Sequence, residues 1–176
     1  MTRRGVTKPN ARKAGRTFVS LVKKEITNAV ALGVEYPPNA IQIWRSPSVL
    51  IRLETHVHKE LVKGTGITVS QIMRVSKMGI SQGYGEAVKQ FTAEVNARRK
   101  KKLTVAQGKT LLEKKLARVM KNGNELMAVA KKIEKWANPP EGDVKFWEAA
   151  AHDALGHLLP IPFNRAQMAL TALGKS

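Results

Sequence analysis

The sequence predicts an all-α protein: a helical bundle with an extended basic N-terminal arm and a small C-terminal helical module. Three observations carry that expectation. From residue 18 onward, apolar residues recur at intervals of three and four, the period of one helix face. No stretch alternates apolar and polar residues as a half-buried strand would. Glycine, proline and asparagine clusters punctuate the periodic runs at helix-length intervals.

Residues 1–16 hold Arg3, Arg4, Lys8, Arg12, Lys13 and Arg16 and no acid. With little apolar bulk beyond Val6 they cannot pack a core, and they read as an arm that tracks a phosphate backbone. Thr17 can cap a first helix whose stripe is Phe18, Leu21, Val22, Ile26, Ala29 and Val30, stopped by Gly33. Residues 33–48 form a connector broken by Pro37, Pro38 and Pro47, with Trp44 as a core anchor. A second helix runs from Ser48 to Lys63 through Leu50, Leu53, Val57 and Leu61, and Gly64 and Gly66 end it. Thr68 or Ser70 starts a short third helix through Met78.

The stretch Gly79 to Lys102 organises the chain. It opens with Gly79, Gly83 and Gly85, continues with Val88, Phe91 and Val95 on one face, and closes on Arg98, Arg99, Lys100, Lys101 and Lys102. The fourth helix is expected from Glu86 to Lys102, with the cations at its end. Gly83, Tyr84 and Gly85 are the expected place for another backbone, or a phosphate, to come close. A fifth helix spans Leu103 to Lys121, with Leu112, Leu116, Val119 and Met120 inward and Lys109, Lys114, Lys115, Arg118 and Lys121 outward. Asn122-Gly123-Asn124 is expected to break it before a sixth, Glu125 to Ala137, built on Leu126, Val129, Ala130, Ile133 and Trp136. Asp143 caps a seventh helix to Leu159, and a last short one starts at Asn164.

Charge divides the chain in the same direction. Among 176 residues there are 31 lysines and arginines against 13 acids, a formal net charge of +18. Residues 1–140 hold 28 of the cations and 9 of the acids, and residues 141–176 hold 3 and 4. The sign changes near Asn138-Pro139-Pro140, which sets the expected divisions: an arm over 1–16, a helical DNA-binding core over 17–137, and a subunit-contact module over 138–176. So large a charge calls for a neutralising polyanion, nucleic acid ahead of a membrane surface or an acidic protein. The absence of cysteine excludes a disulfide framework and a thiolate metal site. No apolar run reaches the length of a membrane span, and no signal peptide is expected.

Motifs for chemistry are sparse. Gln107-Gly108-Lys109-Thr110 ends like a phosphate-binding loop, yet Leu103 stands where that loop needs glycine and no strand precedes it. Val69 to Val88 has a helix-turn-helix layout, with Val75, Gly79 and Ser81 as small residue, turn and cap, but Gly83 and Gly85 would weaken the reading helix by about 1 kcal/mol each. Glu148 and His152 sit four apart, without the third ligand a metal needs; His56 and His58 lie on different faces. Neither metal nor cofactor is expected. A tyrosine nucleophile would have to be Tyr36 or Tyr84, without the arginine–histidine setting of a strand-transfer enzyme, so a non-enzyme is expected.

The signal with most content is cationic. Arg98 to Lys102 with Lys109, Lys114, Lys115, Arg118 and Lys121 form a basic surface relieved in that span by Glu113 alone, and Lys23 and Lys24 add to it. Single-strand binders interleave aromatics among such cations, and here those are nearly absent. Neutralising a duplex backbone without reading sequence needs only the charges.

At Gln82-Gly83-Tyr84-Gly85, followed by Val88 and a helix, the sequence resembles the major capsid proteins of rod-shaped and filamentous archaeal viruses. The basic arm, the helical pattern, the size and the lack of cysteine accord with them. The resemblance implies a helical bundle whose dimers, of identical or paralogous chains, polymerise into a filament. Such a filament wraps linear double-stranded DNA and holds it in the A form. It further implies a virion location after assembly in the host cytoplasm. The arm and basic helices would then lie on phosphates, and the near-neutral C-terminal part would contact other subunits, or an envelope in enveloped members. A helix-turn-helix regulator and a recombinase-type protein are the readings from other classes.

Overall fold

The computed structural model of the chain describes residues 18–25, 27–28, 44–136 and 143–175, with 132–136 and 143–148 described by backbone alone. The expectations for the basic arm, for Tyr36, for the Asn138-Pro139-Pro140 seam and for the side chains of Ile133, Trp136 and Glu148 lie outside the described residues. The described residues are mostly helical without a strand, so the all-α class holds. Residues 18–25 and 27–28 are helical, and six further helices follow. They are α1 (Pro47–Val62), α2 (Val69–Gln82), α3 (Tyr84–Asn96), α4 (Val105–Trp136), α5 (Asp143–Leu158) and α6 (Pro160–Gly174).

The contacts divide the chain into two compact units that interleave in sequence. One comprises Met1–Lys59 and Asn124–Pro160; the other comprises Glu60–Gly123 and Ile161–Ser176. The expected division into consecutive stretches at the proline seam differs from this, because α1 and α4 each supply residues to both units. A helix of 32 residues, about 48 Å long, is longer than one small core.

In the first unit Phe18, Val22, Val49, Leu53 and Val57 are buried along with Ala150, Ala151, Ala154 and Leu155 of α5. Trp44 is 2% exposed and is held as an anchor: its indole Nε1 donates to Asp153 Oδ2 at 2.7 Å. Arg45 lies over the Trp44 ring and donates to His157 Nε2, while His157 Nδ1 donates to the Asp153 carbonyl. A single hydrogen-bonded cluster thus closes over the tryptophan, whose burial contributes about 3 kcal/mol or more.

In the second unit α2 and α3 pack on one another around Ile72, Val75, Ala87, Val88 and Phe91, with Leu112, Leu116 and Val119 of α4 buried as expected. Thr68 caps α2 through a full capping box with Gln71. The expected end of that helix at Met78 is overtaken: α2 continues to Gln82. Gly79 lies inside the helix, and the Tyr84 ring lies where its Cβ would be, so the position requires glycine for close packing rather than for a turn. The break falls at Gly83 alone, at φ 97°, a conformation glycine adopts without strain. The turn and cap of the helix-turn-helix register, Gly79 and Ser81, are therefore both inside one helix.

Asn122-Gly123-Asn124 does not break α4. Asn122 Nδ2 donates to the Leu61 and Lys63 carbonyls at 2.9 Å each, capping the end of α1. Gly123 is buried with the Phe163 ring of α6 against it. These residues, which read as a stop, serve helix contact instead. The last helix also starts earlier than expected, at Pro160, since proline in a first turn lacks only an amide hydrogen that would be unpaired there.

Candidate nucleic-acid interface

The basic block Arg98–Lys102 is not the end of a helix. α3 stops at Asn96, and the block forms a loop between α3 and α4. Two side chains hold it. Asn96 Oδ1 accepts from the Leu103 amide at 2.8 Å while its Nδ2 donates to the Leu103 carbonyl at 3.0 Å, closing the loop across seven residues. The Lys102 ammonium donates to the Asn96 carbonyl, at the negative end of α3, and to the Arg99 carbonyl within the loop. Arg99 Nε donates to the Lys101 carbonyl at 3.2 Å. Neither Asn96 nor this role of Lys102 was foreseen; an asparagine at a helix end followed by a cation run was the available signal.

Thr104 and Gln107 form a second capping pair at the start of α4: the Gln107 amide donates to Thr104 Oγ1 and the Thr104 amide to Gln107 Oε1. Gly108 lies where any Cβ would strike the Thr92 side chain of α3. The Gln107-Gly108-Lys109-Thr110 resemblance to a phosphate loop thus has a structural source, a cap and a close helix crossing. The crossing presses the start of α4 onto α3 and so fixes the loop between them.

Arg98, Arg99, Lys100, Lys101, Lys102, Lys109, Lys114, Lys115, Arg118 and Lys121 all belong to the second unit. The loop cations, Lys114, Arg118 and Lys121 are exposed. Lys109 and Lys115 are half-buried rather than wholly outward. Lys115 Nζ donates to the Gly66 carbonyl at 2.7 Å. Its pKa lies below the ordinary lysine value because burial removes solvent from the ammonium and because Arg118 and Arg99 add like charge nearby. The structure therefore brings Arg99 and Arg118 each within electrostatic reach of Lys115.

The ion pairs among the described residues, Arg52–Glu25, Arg74–Glu94 and Lys89–Glu86, lie elsewhere. No described acid pairs with Arg98 to Lys102, Lys114, Lys115, Arg118 or Lys121. Lys23 and Lys24 are exposed in the first unit. Apart from chain neighbours and the helix's own backbone, no described residue lies within 4 Å of a Cβ built at Gly83 or Gly85, which leaves open space there. The Tyr84 hydroxyl is buried, without a hydrogen-bond partner among the described residues.

His152 Nδ1 donates to the Ala130 carbonyl and His56 stacks on Phe18, as core-edge histidines do. Among the described residues no group of histidine and acid side chains is placed to hold a metal ion. No described helix is long and apolar enough to cross a membrane. Compared with models of protein families, with curated proteins and with solved structures, the chain finds no match.

Proposed function

We propose that this chain is a structural DNA-packaging protein, a coat subunit that wraps linear double-stranded DNA without reading sequence and polymerises with it into a helical filament. The single observation that carries the reading is the set of unneutralised cations in the second unit: the braced Arg98–Lys102 loop, whose Arg99 acts on Lys115, together with Lys114, Arg118 and Lys121, none paired with a described acid. Cations held near one another without acids incur a repulsive cost that a row of phosphates removes. No tryptophan, tyrosine or phenylalanine lies between Arg98 and Lys121 to stack on bases, which favours a duplex backbone over a single strand. The resemblance at Gln82-Gly83-Tyr84-Gly85 to capsid proteins of filamentous archaeal viruses supplies the filament, the virion setting and a second chain, identical or paralogous, as partner. In this role the protein catalyses nothing.

The test is duplex binding across a salt series with arbitrary sequences, together with negative-stain microscopy on long linear DNA. A packaging protein gives the same affinity for every duplex, a steep loss with salt, and stiff filaments that protect DNA from nuclease. Lys100→Ala with Lys101→Ala lowers the logarithmic salt slope by about 2, one counterion per lost phosphate contact. A preference of about 10³ or more for one site would overturn the reading in favour of a sequence-specific regulator.

A further inference from the structure

The second unit carries a groove of about 490 Å³ along α2, lined by Met73, Arg74, Lys77, Ile80 and Arg165 among others. Ile80 is 59% exposed there. The lining holds three cations and no acid. Arg74 is already turned to Ser70 and Glu94, while Lys77 and Arg165 pair with no described acid. Such a groove fits an occupant that brings an apolar side chain and a carboxylate at the matching interval.

The chain itself offers one. Besides Ile80, the large apolar residues exposed among those described are Ile51, Val105, Met127, Ile161 and Met168. Neighbours on the same helix face stand three or four residues away. There Val105 has Lys109, Met127 has Lys131, and Ile161 and Met168 both have Arg165. Each would meet the groove with like charge. Ile51 alone has an acid, Glu54, which is exposed and paired with no described residue. Ile51 itself is 65% exposed.

We propose that Ile51 and Glu54 of one copy dock into the Ile80–Lys77 groove of the next, with α1 and α2 antiparallel. Both pairs are three residues apart, about 4.5 Å along a helix, so the antiparallel alignment sets isoleucine on isoleucine and Glu54 on Lys77 together. A parallel alignment would carry Glu54 to Gly83, where α2 has ended. Knob and groove are different surfaces, so the contact is heterologous and each copy can pass it on. It deepens the coat reading by naming the protein–protein contact, and DNA takes no part in it.

Sedimentation velocity of the full chain without DNA, at low salt and rising concentration, tests it. The wild-type chain is expected to grow beyond a dimer. Glu54→Lys and Lys77→Glu, both exposed positions, each weaken association at least tenfold, and the E54K/K77E double variant restores growth. In an equimolar mixture of the two single variants both contacts between unlike copies pair opposite charges, native Glu54 on native Lys77 in one and the two substituted side chains in the other, so growth resumes with the two variants alternating. A monomeric wild type, a charge reversal without effect, or a mixture that fails to pair overturns the proposal. So does a Lys77→Glu chain that still associates but loses duplex binding, since the groove would then be a phosphate surface. Salt slopes on a short duplex, measured in parallel, report on the packaging reading separately: Glu54→Lys leaves the slope unchanged whether or not the contact exists.

Discussion

At Gly123 and Gly85 the same substitution has opposite expected signs. Glycine inside a helix costs about 1 kcal/mol relative to alanine, so Gly→Ala is stabilising where there is room. Gly85 has room and a helical conformation, so Gly85→Ala is expected to raise stability by about 0.5–1 kcal/mol. If a phosphate backbone comes close there, the same variant weakens duplex binding while unfolding later. Gly123 has the Phe163 ring against it, and Gly123→Ala is expected to destabilise by about 1–3 kcal/mol through overpacking. Urea unfolding of both variants measures the contrast; equal shifts would mean that α6 does not seat on α4 at Gly123. The position reads as a helix break in the sequence because a residue's partner 40 positions away leaves no local mark.

Elements here are defined by their ends as much as by their stripes. Two short stretches, Asn96 to Thr104 and Leu61 to Thr68, are braced by side chains that satisfy terminal helix groups. Asn122→Ala removes two bonds to α1 carbonyls and is expected to cost about 1–3 kcal/mol, measured by denaturant midpoint. Asn96→Ala releases the basic loop from Leu103. Hydrogen exchange of residues 97–104 should then quicken, and duplex affinity should fall without loss of any charge, because a loose loop must be ordered on binding. Unchanged affinity with faster exchange would show that the loop cations need no fixed arrangement.

At the level of the whole molecule, electrostatics and stability are coupled. The unfolded chain holds Lys115 at its ordinary value of 10.5, and the folded chain holds it lower. Between the two values the unfolded state binds more protons, so stability rises with pH across that window. Below the folded value the electrostatic cost is fully present. An anion seated among Arg99, Lys115 and Arg118 relieves the same cost at neutral pH. Phosphate is therefore expected to raise the melting temperature more than chloride at equal ionic strength, and Arg118→Ala to diminish both the phosphate effect and the gain at high pH. A phosphate response that survives Arg99→Ala with Arg118→Ala would place the anion elsewhere.

Legible in the order of residues are the helical class, the buried faces of Leu53, Val57 and Leu61 and of Leu112, Leu116 and Val119, a helix start at Thr68 or Ser70 and the concentration of charge. These rest on periodicity and on hydrogen bonds between near neighbours, which local order of residues encodes. Where helices stop and what the cations adjoin depend instead on contacts between residues further apart in sequence. Gly79 and Gly123 are glycines because the Tyr84 and Phe163 rings take the place of a Cβ, and Asn122 donates to α1 carbonyls, so none of the three marks a helix end. The Arg98–Lys102 block is a braced loop because one asparagine captures a residue seven positions on. The two units interleave because α1 and the 32-residue α4 each supply residues to both.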